Sequence, residues 1–400
     1  MTLPLTGIKV LDFSEHGFVP SSAAALGDFG ADVVKVERLQ GDAGRGIIAS
    51  GMVATKDGYD YLFELFNRNK RGIGLDVEAP AGREVFERLV KWADVYITNQ
   101  LPRVRRKLHT EPKDLFALNP TLVYAKGHGQ GQVGAGAEAG GFDGVSYWAR
   151  GGVAQVLTDP SFPQLVQQRP GLGDIPSGMF LAGGICAGLV HVLRTGKGVV
   201  VDTSLLGGAA WTLGPDLAYA SLTGEQLPTR PEAERSPLQR PYKTAEGRWV
   251  SLMMIDEARY WSQACKALGL DDIIDSYPDA VTGQQAKDAV HARIAAVIAA
   301  ETREQIEARL NAQGCIYSFF ATPAEVLEDE AARDNGYLMK HPRDDVRIPA
   351  APVQFDDEQL TVRRAGPRLG EHTSDVLAEL GYSDQQISDL AAEKVVSTDS

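Results

Sequence analysis

The chain has 400 residues, of which 44% are hydrophobic and 23% are charged, so it is long enough for two domains or one elaborated domain with a sizeable core. Its formal net charge of −13 argues against nucleic acid and acidic membrane surfaces, which bind proteins through a broad basic field. Cys186, Cys265 and Cys315 lie far apart and form no CxxC, which favours a reducing cytoplasm over a disulfide framework or a metal site. The N-terminal MTLPLTGIKVLDFS lacks a signal-peptide pattern, and no apolar window is long enough to predict a membrane span.

The first two hundred residues alternate short β-branched runs with helical stretches. The predicted strands are IKVLDFS, DVVKVE, DVYITN, LVYAK and VVVDTS, and the predicted helices between them include SSAAALGDFG and REVFERLVKWA. Strands separated by about ten to fifteen helical residues are typical of βαβ units. We therefore predict an α/β, Rossmann-like large domain with a mostly parallel sheet.

The character of the chain changes after residue 223. Residues 224–240 are rich in proline and charge, as a connection between domains would be. Beyond them, PYKTAEGRWVSLMMI predicts two strands around a turn, CIYSFFAT a further strand, and PAEVLEDEAARDNG one helix. The amphipathic segments KDAVHARIAAVIAAE and REQIEARLNAQG predict two more helices, and together these elements predict a smaller α+β domain.

A glycine-rich stretch, GHGQGQVGAGAEAGG, follows the strand LVYAK and contains GxGxxG at Gly129, Gly131 and Gly134. A dinucleotide site would need these glycines to open a helix, and more glycine and alanine follow instead. We interpret the stretch as a flexible loop of the kind that closes over active sites. The seven histidines are scattered without metal-ligand spacing, and GxSxG is absent.

Asp174 is the candidate catalytic residue, and it stands in GLGDIPSGMF ahead of a long apolar run. One interpretation makes it the N-cap of the following helix. The other makes it a nucleophile, because a helix dipole favours the ionised carboxylate and the neighbouring glycines leave room for a substrate. The two interpretations are compatible.

Several long motifs in the same order resemble the class III CoA-transferases, the formyl-CoA, carnitine and bile acid CoA-transferase type. They are LTGIKVLDFS, GDFGADVVKVER, NRNKRGIGLDV, AGREVFERLVKWADVYITN, LNPTLVYAKGHGQGQVG, GDIPSGMFLAGGICAGLVHVLRTGKGVVVDTSLL and RLGEHTSDVLAELGYS. The resemblance implies that Asp174 attacks an acyl-CoA and forms an aspartyl anhydride and then an aspartyl-CoA thioester, without a general base. Coenzyme A would be a substrate, with no permanently bound cofactor. It also implies an interlocked homodimer built from a large domain (1–223), a small domain with its linker (224–329) and a return segment (330–400).

The resemblance also implies positions that contact CoA. These are Arg38, Leu75, Asn99, Lys107 and Leu108, and His16 lies where it would reach the acyl group. The family's usual NFRPG is replaced by Asn99-Gln100-Leu101-Pro102-Arg103, and added basic residues, Arg106 among them, would hold the CoA phosphates differently. Main-chain N–H groups near Gly129 and Gly131 would stabilise the oxyanions.

Departures from the family pattern bear on the substrate. Gly17 stands where formyl-CoA transferases carry a glutamine, and their tetraglycine loop is missing, so oxalate and formate are poor candidates. Racemases of the family carry a His-Asp pair where this chain has Phe142 and Asp143, so the racemase base is missing. Tyr147 and Trp148 would line an apolar acyl pocket. We therefore predict transfer to a bulky or apolar acid, with a 2-methylacyl-CoA racemase or a CoA-binding protein without turnover as alternatives.

Overall fold

The computed structural model describes residues 2–229, 231–278, 281–343, 346–356 and 358–398. The chain divides into two compact units. The larger comprises Met1–Ser221 and Glu330–Ser400, and the smaller comprises Leu222–Asp329. Each unit has its own hydrophobic core.

The strands form three sheets. In chain order they are β1 (Lys9–Phe13), β2 (Asp32–Glu37), β3 (Lys70–Leu75), β4 (Val95–Thr98), β5 (Val123–His128), β6 (Val199–Ser204), β7 (Pro241–Lys243), β8 (Trp249–Leu252), β9 (Tyr317–Phe319), β10 (Leu338–Lys340), β11 (Arg347–Pro349) and β12 (Val396–Ser397). The seven-stranded sheet has the order β12-β3-β2-β1-β4-β5-β6, in which β1 to β6 are parallel and β12 is antiparallel to β3. The predicted α/β, Rossmann-like fold with a mostly parallel sheet is confirmed.

The helices cover both faces of the seven-stranded sheet and make up most of the smaller unit. In chain order they are α1 (Phe18–Asp28), α2 (Gly46–Ala49), α3 (Tyr61–Asn67), α4 (Pro80–Trp92), α5 (Pro102–Lys107), α6 (Pro112–Leu118), α7 (Val153–Leu157), α8 (Asp174–Thr195), α9 (Leu205–Thr212), α10 (Gly214–Thr223), α11 (Glu257–Ala267), α12 (Asp271–Ser276), α13 (Gln284–Ala299), α14 (Arg303–Ala312), α15 (Pro323–Glu328), α16 (Glu330–Asp334), α17 (Thr373–Glu379) and α18 (Asp384–Ala392). A π-helical turn spans Gly144–Ala149.

The elements that differ from the sequence-based prediction include two strands of the large sheet and one predicted helix. Strand β3, KRGIGL, carries no long β-branched run, and its first two side chains are buried because they form ion pairs. The two-residue strand β12 is too short to leave a periodic pattern. The segment PAEVLEDEAARDNG forms two short helices, α15 and α16, rather than one.

Alternate residues of the central strands face opposite layers. Val10 and Val33 pack on one face against α1 and α8, whereas Leu11 and Val34 pack on the other face against α4. Each fully buried Val, Leu or Ile side chain contributes about 1.5–3 kcal/mol to folding. This two-sided burial explains why the strands read as nearly continuous apolar runs.

The strand order reverses between β1 and β4, which are neighbours in the middle of the sheet. In doubly wound α/β folds, ligands bind beyond the carboxyl ends of the strands at such a switch point. The turns after β1, β2, β3, β4 and β5 therefore form the candidate site.

Helix α8 has 22 residues and is the one described helix long and apolar enough, by length and composition, to cross a membrane. Core helices of globular proteins pass the same test, and α8 packs against α1, β5 and β6. Only 39% of its most apolar stretch is buried, so the outer face of α8 stays apolar and exposed.

The smaller unit is built around an antiparallel sheet, β7-β8-β9. The predicted turn at Glu246-Gly247 joins β7 to β8, and Gly247 has a φ of +78°, which suits a tight turn. Helices α11, α13 and α14 enclose the buried Trp261 against this sheet.

Candidate functional site

Asp174 is the first residue of helix α8, and the N-cap position is Gly173. The Asp174 side chain makes no capping hydrogen bond. The N-cap interpretation is therefore wrong, because Asp174 lies one position inside the helix. Its half-buried carboxylate lies in the wall of a cavity of about 620 Å³.

Two glycines allow the start of α8 to reach this position. A Cβ on Gly173 would lie 2.3 Å from Tyr147 Cγ and 2.3 Å from Asp143 Oδ1. A Cβ on Gly178 would lie 1.9 Å from the Oγ of Ser21 in α1. The two glycines therefore permit close packing that no larger residue allows, and this packing places Asp174 beside the first turn of α1.

Asp143 lies next to Asp174, although 31 residues separate them in the chain. Its Oδ2 accepts hydrogen bonds from the N–H of Gly173 at 2.9 Å and from the N–H of Asp174 at 3.3 Å. These bonds take up N–H groups that a helix N-terminus otherwise offers to an anion. Burial raises the pKa of Asp143 above its ordinary value, although these bonds act in the opposite direction.

The protonation state of Asp174 differs from the sequence-based expectation. Burial, and then the charge of Asp143, raise the pKa of Asp174 to about 7. The expectation of a carboxylate held ionised by the helix dipole is therefore wrong, because desolvation and a like charge outweigh the dipole here. The ionised form of Asp174 is therefore destabilised relative to that of an exposed aspartate.

This environment predicts a pH-dependent reaction. If Asp174 must be ionised to attack, kcat/KM will fall about tenfold per pH unit below pH 7 and reach a plateau above it. Asp143→Asn removes the like charge, so its acid limb is expected at lower pH. A pH–rate profile of both proteins with one acyl-CoA measures this, and coincident acid limbs would contradict the role of Asp143.

Gly17, the residue before α1, touches the Asp174 carboxylate. A Cβ on Gly17 would lie 2.5 Å from Asp174 Oδ2. The N–H groups of Gly17, Phe18 and Val19 donate to no group in the described part of the chain, because they begin the helix. The N-terminus of α1 thus offers free donors and the positive end of a helix dipole at the cavity.

The cavity gathers most of the residues predicted from the sequence, all from the larger unit. Those that line it are His16, Gly17, Arg38, Leu75, Asn99, Lys107, Leu108, Gly129, Gly131, Phe142 and Asp174. The predicted residues absent from its lining are Arg106, Tyr147 and Trp148.

Both cations predicted to meet CoA in the cavity wall already form ion pairs. Arg38 Nε lies 3.0 Å from Glu15, and Lys107 Nζ lies 2.7 Å from Glu78. Both pairs are exposed, so each contributes little to stability and is readily exchanged for a phosphate.

Arg106 contacts the glycine-rich loop instead of the cavity. It pairs with Glu138 at 2.6 Å, and Arg103 donates to the same carboxylate through its backbone. Arg106 therefore contacts the glycine-rich loop, and it does not lie in the wall of the candidate CoA site.

Tyr147 and Trp148 belong to the core. Tyr147 is buried and donates its hydroxyl to Thr212 at 3.0 Å, and Trp148 packs against the same apolar cluster. Tyr147 acts on the site indirectly, because its ring packs against Gly173. The ring of Phe142, by contrast, faces His16 with centroids 5.3 Å apart.

The glycine-rich loop is closed at its base. A Cβ on Gly129 would lie 2.4 Å from the Cα of Gly141, so the two ends of the loop touch backbone to backbone. No helix begins within 129–141, which excludes the dinucleotide interpretation of GxGxxG.

Sequence reasoning missed two functional candidates. The sequence pattern drew attention to Asp143 only because the residue before it, Phe142, replaces a histidine. The contact between Asp143 and Asp174 depends on tertiary packing. His128 lines the cavity, and its Nε2 lies 3.1 Å from Asp202 Oδ2. A signal for His128 existed, since it lies two residues after the predicted strand LVYAK, at the carboxyl edge of a parallel sheet.

The chain matches known proteins over nearly its whole length. The family model for CoA-transferase family III matches residues 5–373. The chain is 29% identical over 397 residues to the (R)-2-hydroxy-4-methylpentanoate CoA-transferase of Clostridioides difficile, covering 98% of this chain and 99% of that protein. It is 28% identical over 400 residues to the cinnamoyl-CoA:phenyllactate CoA-transferase of Clostridium sporogenes, covering 97% and 96%.

A racemase and a solved structure also match. The human alpha-methylacyl-CoA racemase is 27% identical over 407 residues, covering 98% of each chain. The crystal structure of a CAIB/BAIF family protein from Brucella suis superposes with a TM-score of 0.80 at 25% identity, covering 95% of this chain and 100% of that one. The sheet order, the cavity and these matches agree, and the chain belongs to CoA-transferase family III and is a transferase.

Proposed function

We propose that this enzyme moves CoA from an acyl-CoA donor to a carboxylic acid through covalent intermediates on Asp174. The observation that carries the proposal is the Asp174 carboxylate, which lies in the cavity wall against Gly17, the residue that precedes α1. The related transferases named above act on acyl-CoA and carboxylic acids, which supports the same substrate classes here.

The first half of the reaction needs only Asp174 and the thioester. The ionised carboxylate attacks the thioester carbonyl, the C–S bond breaks, and CoA leaves as a thiolate, which gives an aspartyl anhydride. The thiolate then attacks the aspartyl carbonyl, the donor acid leaves as a carboxylate, and an aspartyl-CoA thioester remains. An acceptor carboxylate repeats the two steps in reverse. No general base is required, because every nucleophile is an anion.

The N-terminus of α1 is well placed to stabilise the oxyanions of these steps. Gly17 and Phe18 line the cavity, and their N–H groups donate to no acceptor in the described part of the chain. One such donor contributes about 3 kcal/mol to a tetrahedral oxyanion in well-studied enzymes. We assign this role to α1, in addition to the backbone near Gly129 and Gly131.

Acyl-CoA is proposed to lie along the cavity. Arg38 and Lys107 would exchange their carboxylate partners for CoA phosphates. Leu75 and Leu108 give the wall between them an apolar surface. This arrangement directs the thioester toward Asp174.

The cavity favours an apolar monocarboxylic acid as acceptor. Its lining includes the apolar side chains of Phe18, Phe142 and Leu205. Its two long cationic side chains are paired with Glu15 and Glu78, which also line it. Because the phosphates of bound CoA would occupy the same two cations, the second carboxylate of a dicarboxylic acid would meet no unpaired Lys or Arg in this lining.

The racemase is the second candidate, because a racemase is among the relatives of the chain. Phe142 cannot take up a proton, so removal of an α-proton would lack the base that the family's racemases place there. A CoA-binding protein without turnover would leave Asp174 unused.

A transfer assay separates these functions. The protein is incubated in deuterium oxide with a panel of acids and acetyl-CoA or succinyl-CoA, and separately with a 2-methylacyl-CoA, and the thioesters are identified by mass spectrometry. We expect new thioesters without α-deuterium, and kcat/KM about tenfold or more higher for 4-methylpentanoate and 3-phenylpropionate than for oxalate or malate. Deuterated 2-methylacyl-CoA without exchange of acids would establish the racemase, and no product at all would leave CoA binding.

We also propose a homodimeric, cytoplasmic enzyme with a large domain (1–223, 330–400) and a small domain (224–329). The outer face of α8 and the neighbouring α9 expose large apolar residues, with Leu193 81% and Trp211 77% exposed. Large apolar side chains exposed to this degree favour coverage by a second copy. Light scattering that gives the mass of one chain, 43.1 kDa, would contradict the dimer.

A further inference from the structure

The turn that joins β1 to α1, residues 14–17, has four of its backbone polar groups bound by side chains from other elements: the Ser14 carbonyl, both groups of Glu15 and the His16 N–H. Asn99 accepts from the Glu15 N–H at 3.1 Å and donates to the Glu15 carbonyl at 2.7 Å. Lys35 donates to the Ser14 carbonyl at 2.8 Å. The turn is therefore held from outside rather than by its own hydrogen bonds.

Two of the contacts to this turn come from one buried ion pair, which Lys35 and Asp42 form. Lys35 Nζ lies 2.8 Å from Asp42 Oδ2, and both side chains are almost completely buried. The other oxygen of Asp42, Oδ1, accepts from the His16 N–H at 3.0 Å and from the Gly44 N–H at 2.7 Å. Burial alone would raise the pKa of Asp42, but Lys35 and these bonds hold it below its ordinary value. Asp42 is therefore an anion where it accepts the hydrogen bond from the His16 N–H.

His16 needs such an anchor, because its φ is +68°. This left-handed conformation is unfavourable for a residue with a side chain. The residue that follows, Gly17, is the one whose Cα lies against the Asp174 carboxylate. Strain of this kind persists only where the surrounding structure over-determines it, and it is common at active sites.

We propose that Asp42, held by Lys35, is a positioning residue of the reaction: it fixes His16 in the left-handed conformation and so keeps Gly17 and the first N–H groups of α1 against Asp174. Asp42 does not touch the cavity and acts only through the turn. The proposal rests on Asp174 as the nucleophile of the transfer reaction.

The test compares Asp42→Asn with Asp28→Asn. Asp28 forms a second buried ion pair in the same unit, with Arg68 at 2.7 Å, but does not contact the 14–17 turn. We expect Asp42→Asn to lower kcat about tenfold or more, with a smaller change in KM, and Asp28→Asn to change kcat less than twofold at a similar loss of stability. Equal effects of the two variants on kcat would overturn the proposal.

Rescue at His16 distinguishes positioning from general destabilisation. Glycine adopts positive φ without a penalty, so the turn needs less anchoring in a His16→Gly background. We expect Asp42→Asn to lower kcat at least threefold less in that background than in the wild type. An unchanged effect of Asp42→Asn would also overturn the proposal.

Amide hydrogen exchange keeps the test independent of folding yield and of catalysis. In the wild-type protein the His16 amide should exchange far more slowly than the amide of Asp57, an exposed turn residue that also has a positive φ. Fast exchange at His16 would overturn the proposal without any variant. If the wild type shows no transfer, the proposed function fails, and faster exchange of residues 14–17 in Asp42→Asn, but not in Asp28→Asn, still decides whether Asp42 holds the turn.

Discussion

Asp174→Ala is expected to lower the rate of CoA transfer by about 10⁴-fold or more while leaving the affinity for CoA nearly unchanged. In the proposed mechanism, this variant lacks the carboxylate that would bond to the acyl carbon and then carry CoA as a thioester. The cations that would meet the CoA phosphates, Arg38 and Lys107, are separate from Asp174 and stay in place. Steady-state kinetics and calorimetric titration with CoA measure the two quantities.

Stability provides an independent readout of the same variant. The pKa of Asp174 is raised from 3.8 to about 7, so the folded protein binds this proton more tightly than the unfolded chain. Its contribution to stability is therefore present below pH 4 and is lost as the pH rises to 7. Relative to the wild type, the free energy of unfolding of Asp174→Ala should increase over this range.

A matched control is available in α18. Asp384 also occupies the first position of its helix and is exposed. Asp384→Ala should leave transfer unchanged. Activity retained in Asp174→Ala would contradict the nucleophile.

Gly17→Val should lower kcat by about 100-fold, the second-largest effect we expect. The new Cβ would fall 2.5 Å from Asp174 Oδ2, so either the carboxylate or the turn must move, and displacements of about 1 Å cost this much in enzymes. The φ of Gly17 is −107°, which any residue can adopt, so the effect arises from contact rather than from backbone strain. Single-turnover kinetics of acyl transfer measure it.

Gly46→Ala serves as the control for Gly17. A Cβ on Gly46 meets no described atom within 4 Å, and its φ of −87° also suits alanine. We expect its kcat to stay within twofold of the wild type. If Gly17→Val is as active as Gly46→Ala, the contact between Gly17 and Asp174 has no part in the reaction.

Much of the fold could be predicted from the chain alone, because five of the six parallel strands are apolar, β-branched runs separated by amphipathic helices. Strand β3 was not predicted because its burial depends on charges that distant partners neutralise. Asp12 pairs with Lys70, and Asp32 pairs with Arg71. Local periodicity carries no trace of such pairs. The same holds for β12, whose two residues pair with β3 across more than 300 positions.

The position of Asp174 could be predicted, but its chemistry could not. A carboxylate beside glycines and an apolar run was recognisable as a candidate nucleophile. Burial, and then the charge of Asp143, raise the pKa of Asp174. Both causes depend on how α8 packs against α1. Tyr147 and Trp148 show the reverse case, since aromatic residues near a predicted site are placed by the core rather than by the ligand.

The most direct test of the central claim is chemical trapping at Asp174. The protein is incubated with an acyl-CoA that it turns over and with hydroxylamine, and the peptide 171–180 is examined by mass spectrometry. Attack of hydroxylamine on the aspartyl carbonyl of the anhydride or thioester predicts a hydroxamate at Asp174 that depends on the acyl-CoA. An unmodified Asp174 during active turnover would contradict a covalent aspartyl intermediate.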